Sequence, residues 1–103
     1  PVTPVGIEQD AETVDAVARA AAVGVGPVGR QVVVAVVEAG ARRPGLASPE
    51  LTDAVRAATR QRLAAVLVVP VLPTDIRHNS KIDRTRVAAW AERLLAGEKP
   101  TAP

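Results

Sequence analysis

The chain has 103 residues and a mass of 10.7 kDa, the size of one small domain, and its formal net charge at pH 7 is +2. Hydrophobic residues make up 48% of it, but they are dominated by 20 Ala and 18 Val, beside one Trp and no Phe, Tyr or Met. The lack of Cys excludes a disulfide framework, a thiolate zinc site and a cysteine nucleophile, and the single His excludes a multi-histidine metal site.

The pattern of charge argues against nucleic-acid binding and against a membrane span. The basic residues are scattered, and their one cluster, 77–86, has no aromatic side chain interleaved with it to stack on bases, so we expect no nucleic-acid partner. The longest uncharged run, 63–74, is interrupted by Pro70 and Pro73, whereas a membrane span needs about 20 apolar residues. No basic segment followed by an apolar stretch opens the chain, so we expect no signal peptide and a cytoplasmic location.

The first part of the chain predicts a helix followed by a β-hairpin. Residues 1–6 are expected to be extended, and 7–17 to form a short helix whose apolar side chains share a face and whose acidic side chains mostly face water. Two valine-rich runs, 18–25 and 31–38, are separated by five residues that include glycine and proline, which is typical of a hairpin. The second run is apolar on both faces, so we expect a central strand covered on both sides.

The middle of the chain predicts a loop, a helix and a third strand. Residues 40–47 are expected to be a polar loop, and Ser48 is an N-cap with Pro49 at the first helical position. This helix is predicted to continue to about Arg62. The apolar run 65–69 is then a strand, which would lie parallel to the second strand because a helix connects the two.

The end of the chain predicts an irregular segment, a helix and a tail. Residues 74–84 are polar, and 85–96 form an amphipathic helix with Gly97 as its C-terminal cap. Four side chains of this helix are expected to face the core: Val87, Trp90, Ala91 and Leu94. The tail 98–103 is expected to be disordered. The whole chain is therefore predicted to be one α/β domain, with a small three-stranded sheet and flanking helices in the order α-β-β-α-β-α.

The polar segment after the third strand holds the candidate site. It contains the single histidine, His78, and one of only two lysines, Lys81, in a chain whose other 11 cationic residues are arginines. A lysine in a loop between rigid elements is a mobile point charge that suits a phosphate or a developing negative charge. The alternative is a solvated loop in which Asp83 or Ser80 caps the last helix, and the residues alone leave both interpretations open.

The residues of this segment also carry a family resemblance. The run 69–84 contains a proline, a short polar loop, a pair of small residues, Lys-Ile and then Asp-Arg before an amphipathic helix, and it resembles the last core motif of adenylate-forming (AMP-binding) enzymes. Residues 20–26 and the strand at 32–38 are similar to the hairpin of that family, and 4–8 resemble the segment that follows its hinge. The resemblance extends over roughly residues 4–97 and corresponds to the small C-terminal lid of such an enzyme.

Two departures from common members point to one branch of that family. Asn79-Ser80 stands where Ser-Gly is usual, and the loop is slightly longer. This variant is similar to the branch that activates long-chain β-hydroxy acids through an acyl-adenylate and closes them to β-lactones in olefin biosynthesis. A lid of a fatty acyl-CoA or acyl-AMP ligase is the alternative within the superfamily. A non-catalytic αβ module that binds a protein or RNA is the alternative outside it.

The resemblance also implies roles for individual residues. Lys81 is the catalytic lid lysine, which would contact the substrate carboxylate and the phosphates of ATP. Four neighbours form the substrate- and ATP-contacting loop: Arg77, His78, Asn79 and Ser80. The implied cofactors are ATP and Mg²⁺, bound mainly by an N-terminal adenylation domain that is the partner of this lid, and no metal ligand is expected in the chain. Because 1–72 contain no phosphate loop or acidic metal pair, we expect this chain alone to bind ATP weakly and to be inactive.

Overall fold

The computed structural model describes residues 3–78 and 81–103. Its helices are α1 (Pro4–Ala11), α2 (Pro49–Thr59) and α3 (Arg84–Leu95), with a 3-10 turn at Ile76–His78. Its strands are β1 (Arg19–Val25), β2 (Val32–Glu38), β3 (Gly45–Leu46), β4 (Ala65–Val68), β5 (Thr74–Asp75) and β6 (Lys81–Ile82). One sheet has the strand order β1-β2-β4-β3, and β5 and β6 pair separately. In this part of the chain, no helix has the length and apolar character that crossing a membrane requires.

The first helix begins earlier and ends earlier than the sequence predicts. The hydroxyl of Thr3 accepts a hydrogen bond from the amide of Gly6 at 3.0 Å, and Pro4 takes the first helical position. Helix α1 therefore starts at Pro4, and the expectation of extended backbone is wrong for residues 4–6. After Ala11 the chain leaves the helix through a series of tight turns, so the helix predicted over 7–17 is wrong in its second half.

The predicted hairpin and the predicted parallel strand are both confirmed. Strands β1 and β2 pair antiparallel from Arg19 opposite Glu38 to Val25 opposite Val32. At the turn between them Gly26 has a φ of +110°, a conformation that glycine adopts without steric cost. Strand β4 lies parallel to β2 on its other side, which makes β2 a central strand as expected.

The sheet gains a fourth strand that sequence reasoning missed. Within the segment 40–47, expected to be a loop, β3 pairs antiparallel with β4 through two residue pairs. Helix α2 then begins as predicted, because the side chain of Ser48 accepts a hydrogen bond from the amide of Leu51 at 3.1 Å. It ends before the predicted Arg62, since Arg60 adopts a left-handed conformation with a φ of +56°.

Two hydrophobic clusters cover the two faces of the sheet, so the predicted α/β class with flanking helices is confirmed. Helices α1 and α2 pack on one face through Ile7, Ala11 and Val55. Helix α3 packs on the other face through Val87, Trp90 and Ala91, with Leu94 partly buried against them. The indole of Trp90 also donates a hydrogen bond to the main-chain carbonyl of Thr101. The expected disorder of the tail 98–103 stays a prediction.

Candidate functional site

The segment 74–84 is more ordered than its composition suggests. Strands β5 and β6 form a small antiparallel hairpin in which Thr74 lies opposite Ile82 and Asp75 opposite Lys81. The amide of Asp83 donates to the carbonyl of Pro73 at 2.9 Å and so closes the open end of the hairpin. For the described residues of this segment, 74–78 and 81–84, the expectation of an irregular backbone is therefore wrong. Two-residue strands are too short to leave a periodic pattern in the sequence.

Lys81 lies at the junction between this hairpin and helix α3. Lys81 is exposed, and it lies two positions before the N-cap residue of the helix. That cap is Asp83, whose carboxylate accepts a hydrogen bond from the amide of Arg86 at 3.1 Å. The expected Asp83 cap is thus confirmed, and a helix cap formed by Asp83 is compatible with a functional role for Lys81. The backbone of Lys81 is held by strand pairing on one side and by a capped helix on the other.

The remaining predicted site residues lie in the connection between β5 and β6. Arg77 is exposed in the 3-10 turn, and its amide donates to the carboxylate of Asp75 at 2.9 Å. The guanidinium Nε of Arg77 lies 3.9 Å from the same carboxylate, an exposed ion pair of little energetic consequence. His78 ends the turn through its backbone, and its side chain is not among the described atoms. Asn79 and Ser80, which the resemblance places in the substrate loop, lie outside the described residues.

A shallow basic pocket of about 340 Å³ opens beside Lys81. Its lining includes three cationic residues: Lys81 and Arg84, which are close together in the chain, and Arg19 from the start of β1. Val5 and Ile82 supply the apolar part of its lining. Clustered cations raise the local concentration of anions, so the pocket is suited to an anionic group such as a carboxylate or a phosphate. Because the charge of Arg84 is balanced by Glu8, this attraction comes mainly from Arg19 and Lys81. Sequence reasoning singled out Lys81 but had no signal for the contribution of Arg19.

An ion pair with a buried carboxylate and a partly exposed guanidinium lies beside this pocket. The guanidinium Nε of Arg84 donates to Glu8 Oε2 at 2.8 Å, and Arg84 Nη2 contacts Glu8 Oε1, which together form a two-pronged contact. Glu8 is 6% exposed, and its Oε2 also accepts a hydrogen bond from the amide of Ala22 at 2.8 Å. The hydrogen bond to Glu8, aided by its negative charge, raises the pKa of Arg84 above its usual value, although burial acts in the opposite direction.

Glu8 corrects an expectation about the first helix. Its acidic side chains were expected mostly to face water, but Glu8 and Glu12 turn toward the outer edge of β1. They accept hydrogen bonds from the amides of Ala22 and Ala20, at 2.8 and 3.1 Å. A strand at a sheet edge presents unpaired amides, and these two carboxylates satisfy them.

The described residues do not fit a resident metal site. Within 3–78 and 81–103, no three His, Asp or Glu side chains converge closely enough to hold a metal ion. A magnesium ion needs carboxylate or phosphate oxygens, and the pocket beside Lys81 is lined by cations instead.

Comparison with known proteins supplies the context of this fold. No protein-family profile matches the chain. A curated relative is an olefin beta-lactone synthetase from Stenotrophomonas maltophilia (strain K279a), 45% identical over 94 residues, a match that covers 86% of this chain and 17% of the relative.

Three solved structures share the fold. A benzoate CoA ligase from Burkholderia xenovorans LB400 superposes with a TM-score of 0.67 and 29% identity, over 84% of this chain and 18% of that one. A Brucella canis acyl-CoA synthetase has a TM-score of 0.59 and 26% identity, over 88% of this chain and 17% of that one. An ATP-bound RpMatB-BxBclM chimera, with a TM-score of 0.66 over 86% of this chain and 18% of that one, is 21% identical and supports the fold alone.

These similarities confirm the resemblance carried by residues 69–84: the chain has the fold of the C-terminal lid of adenylate-forming enzymes. Within that superfamily, its sequence is similar to an olefin beta-lactone synthetase. The chain spans 17% of the length of that curated relative.

Proposed function

We propose that the chain is the lid of an ATP-dependent ligase that activates a carboxylic acid as an acyl-adenylate. The observation that carries this proposal is the placement of Lys81. It is exposed, its backbone is held by a hairpin and a capped helix, and it lines a basic pocket with Arg19 and Arg84. The similarity to the β-lactone synthetase supports the same reaction class.

The chemistry of adenylation explains why a lysine is needed at this position. A carboxylate oxygen bonds to the α-phosphorus of ATP and pyrophosphate leaves. The negative charges of the carboxylate and the α-phosphate are therefore brought close together, and part of the charge then moves to the departing pyrophosphate. An ammonium held at that point stabilises the charge in the transition state, and it does so most strongly where water is excluded. Lys81 would contact the substrate carboxylate and the phosphates. Arg77, His78, Asn79 and Ser80 belong to the same proposed contact loop.

The proposal places the rest of the catalytic machinery in a partner domain. The chain corresponds to 17% of its curated relative, and we assign the acyl site, the adenine site and most contacts to ATP to an N-terminal adenylation domain of the same protein. Mg²⁺ would be held by ATP and by that domain, because the described residues of the lid offer no ligand set for it. The lid would act by moving its hairpin onto that domain, a conformational step common among enzymes that enclose their substrates.

The proposed substrate is a long-chain β-hydroxy acid, and the proposed product is a β-lactone. After adenylation, the β-hydroxyl oxygen attacks the acyl carbon, loses its proton and displaces AMP, which closes the four-membered ring. The curated relative supports this outcome. A second candidate is the lid of an acyl-CoA ligase, in which the thiol of CoA attacks instead, and the two CoA-ligating structural neighbours favour it.

Product analysis tests the proposal and separates its two forms. The protein that contains this lid would be incubated with Mg·ATP and a long-chain β-hydroxy acid, with and without CoA, and the products identified by mass spectrometry. We expect AMP, pyrophosphate and a product lighter than the acid by one water, whether or not CoA is present. A thioester formed only with CoA would assign the chain to the acyl-CoA ligases. The absence of AMP and pyrophosphate with every acid tested would favour a non-catalytic binding module.

A further inference from the structure

The buried carboxylate of Glu8 joins three parts of the fold that are distant in sequence. Glu8 lies in α1, it accepts a hydrogen bond from Ala22 in β1, and it accepts the two-pronged contact from Arg84 at the start of α3. Glu8 and Arg84 are 76 positions apart in the chain. The pair is therefore a cross-link between the sheet and the segment that carries Lys81.

Arg84 is close enough to Lys81 for this cross-link to control its position. It follows Lys81 by three residues, and both residues line the same pocket. Asp83 lies between them. Its amide donates to the carbonyl of Pro73 at the base of the hairpin, and its carboxylate caps α3. When Arg84 is held by Glu8, the start of α3 and the adjoining strand β6 are held at one place and angle relative to β1.

We infer that the Glu8–Arg84 pair positions Lys81 for catalysis. This inference rests on the proposed function, because it concerns the site at which Lys81 acts. Because the guanidinium of Arg84 is engaged by Glu8, we assign both members of the pair as positioning residues. Their geometry suits that task, since a two-pronged guanidinium–carboxylate contact restricts orientation as well as distance.

Stability alone is a weak explanation for such a pair. The side chain of Glu8 is buried, whereas that of Arg84 is 40% exposed. Burying the carboxylate loses so much hydration that replacing both charges by well-packed neutral side chains is often neutral or stabilising, whereas removing the arginine alone leaves a buried charge unpaired and is costly. The two possible roles therefore respond differently when both charges are removed. If the pair only stabilises the fold, replacing both charges by neutral side chains should restore both stability and activity. If the pair positions Lys81, the same replacement should restore stability but not activity.

The test compares single and double variants of the complete enzyme. Glu8→Gln keeps an oxygen for the amide of Ala22 but loses the two-pronged contact, and Glu8→Gln/Arg84→Met removes both charges. We expect both to lower kcat for adenylation by about 10- to 100-fold with little change in KM, since a small misplacement of a catalytic group costs that much. Thermal stability should fall in the single variant Arg84→Met, because it leaves the carboxylate of Glu8 buried without its cation, and should recover in the double variant. Deuterium exchange into residues 73–83 should be faster in Glu8→Gln and in the double variant.

Matched variants separate positioning from general damage. Arg56→Met removes a guanidinium that donates to the carbonyl of Leu63 at 2.9 Å, away from the pocket, so it should lower stability and leave kcat unchanged. Arg84→Lys keeps a single charged contact and should restore part of kcat. Recovery of both stability and kcat in the double variant would overturn the inference and leave a purely structural pair. If Lys81→Ala has normal adenylation activity, the proposed function fails instead, whatever the pair does.

Discussion

Replacing Lys81 with alanine should abolish most adenylation and leave the fold intact. We expect the adenylation rate of the complete enzyme to fall by about two to four orders of magnitude, a loss of roughly 3–5 kcal/mol in transition-state stabilisation. The loss is large because a preorganised charge acts in a closed site, where water no longer screens it.

The same substitution should have little effect on stability. Lys81 is exposed, and its backbone pairing with Asp75 does not depend on its side chain. Surface substitutions of this kind usually change the free energy of unfolding by less than about 0.5 kcal/mol. Urea denaturation of the variant and the wild type should therefore give nearly coincident curves, which separates a chemical role from a folding defect.

Pyrophosphate release measured with Mg·ATP and the acid substrate is the direct assay. The chain supplies a matched control in Lys99, its only other lysine, which lies in the tail and should tolerate Lys99→Ala without loss of rate. Lys81→Arg keeps the charge but changes its shape and reach, and we expect it to recover only part of the activity. A Lys81→Ala enzyme with a rate near that of the wild type would refute the assignment.

Three further predictions concern the isolated chain, its core and the Glu8–Arg84 ion pair. Titration of the 103-residue chain with Mg·ATP by calorimetry or NMR should show no turnover and no millimolar or tighter binding, because a phosphate site needs converging donors; saturable micromolar binding at 74–84 would contradict the lid assignment. Trp90→Ala should cost about 3–5 kcal/mol, a large part of the stability of a small domain, since Trp90 is 2% exposed in a core of small side chains; a cost below about 1 kcal/mol in urea denaturation followed by circular dichroism would show that the core repacks. Because the pKa of Arg84 is raised by Glu8, the contribution of this pair is fully present below the ordinary arginine pKa and is lost only as pH rises through the raised value. The stability difference between wild type and Arg84→Met should therefore be the same at pH 7 and pH 10, and a difference that shrinks over this range would contradict the assignment of charge.

Local patterns in the sequence determined much of the fold. The hairpin of β1 and β2 and the Ser48 cap were predicted because each depends on residues that are close together in the chain. The parallel pairing of β4 with β2 was predicted because a helix connects the two strands. The same holds for the inward face of α3. Lys81 could be singled out by its rarity in an arginine-rich chain and by the motif around it.

Tertiary structure decided the features that have no local signature. Strands β3, β5 and β6 are only two residues long. Strand β3 depends on β4 as its partner, and β5 and β6 pair with each other beside the hydrogen bond from Asp83 to Pro73. The Glu8–Arg84 pair joins positions 76 residues apart, and the burial that makes Glu8 a hydrogen-bond acceptor for β1 exists only after α1 packs on the sheet. The sequence thus identified the lysine, whereas the folded chain determined which charges surround it and what holds it in place.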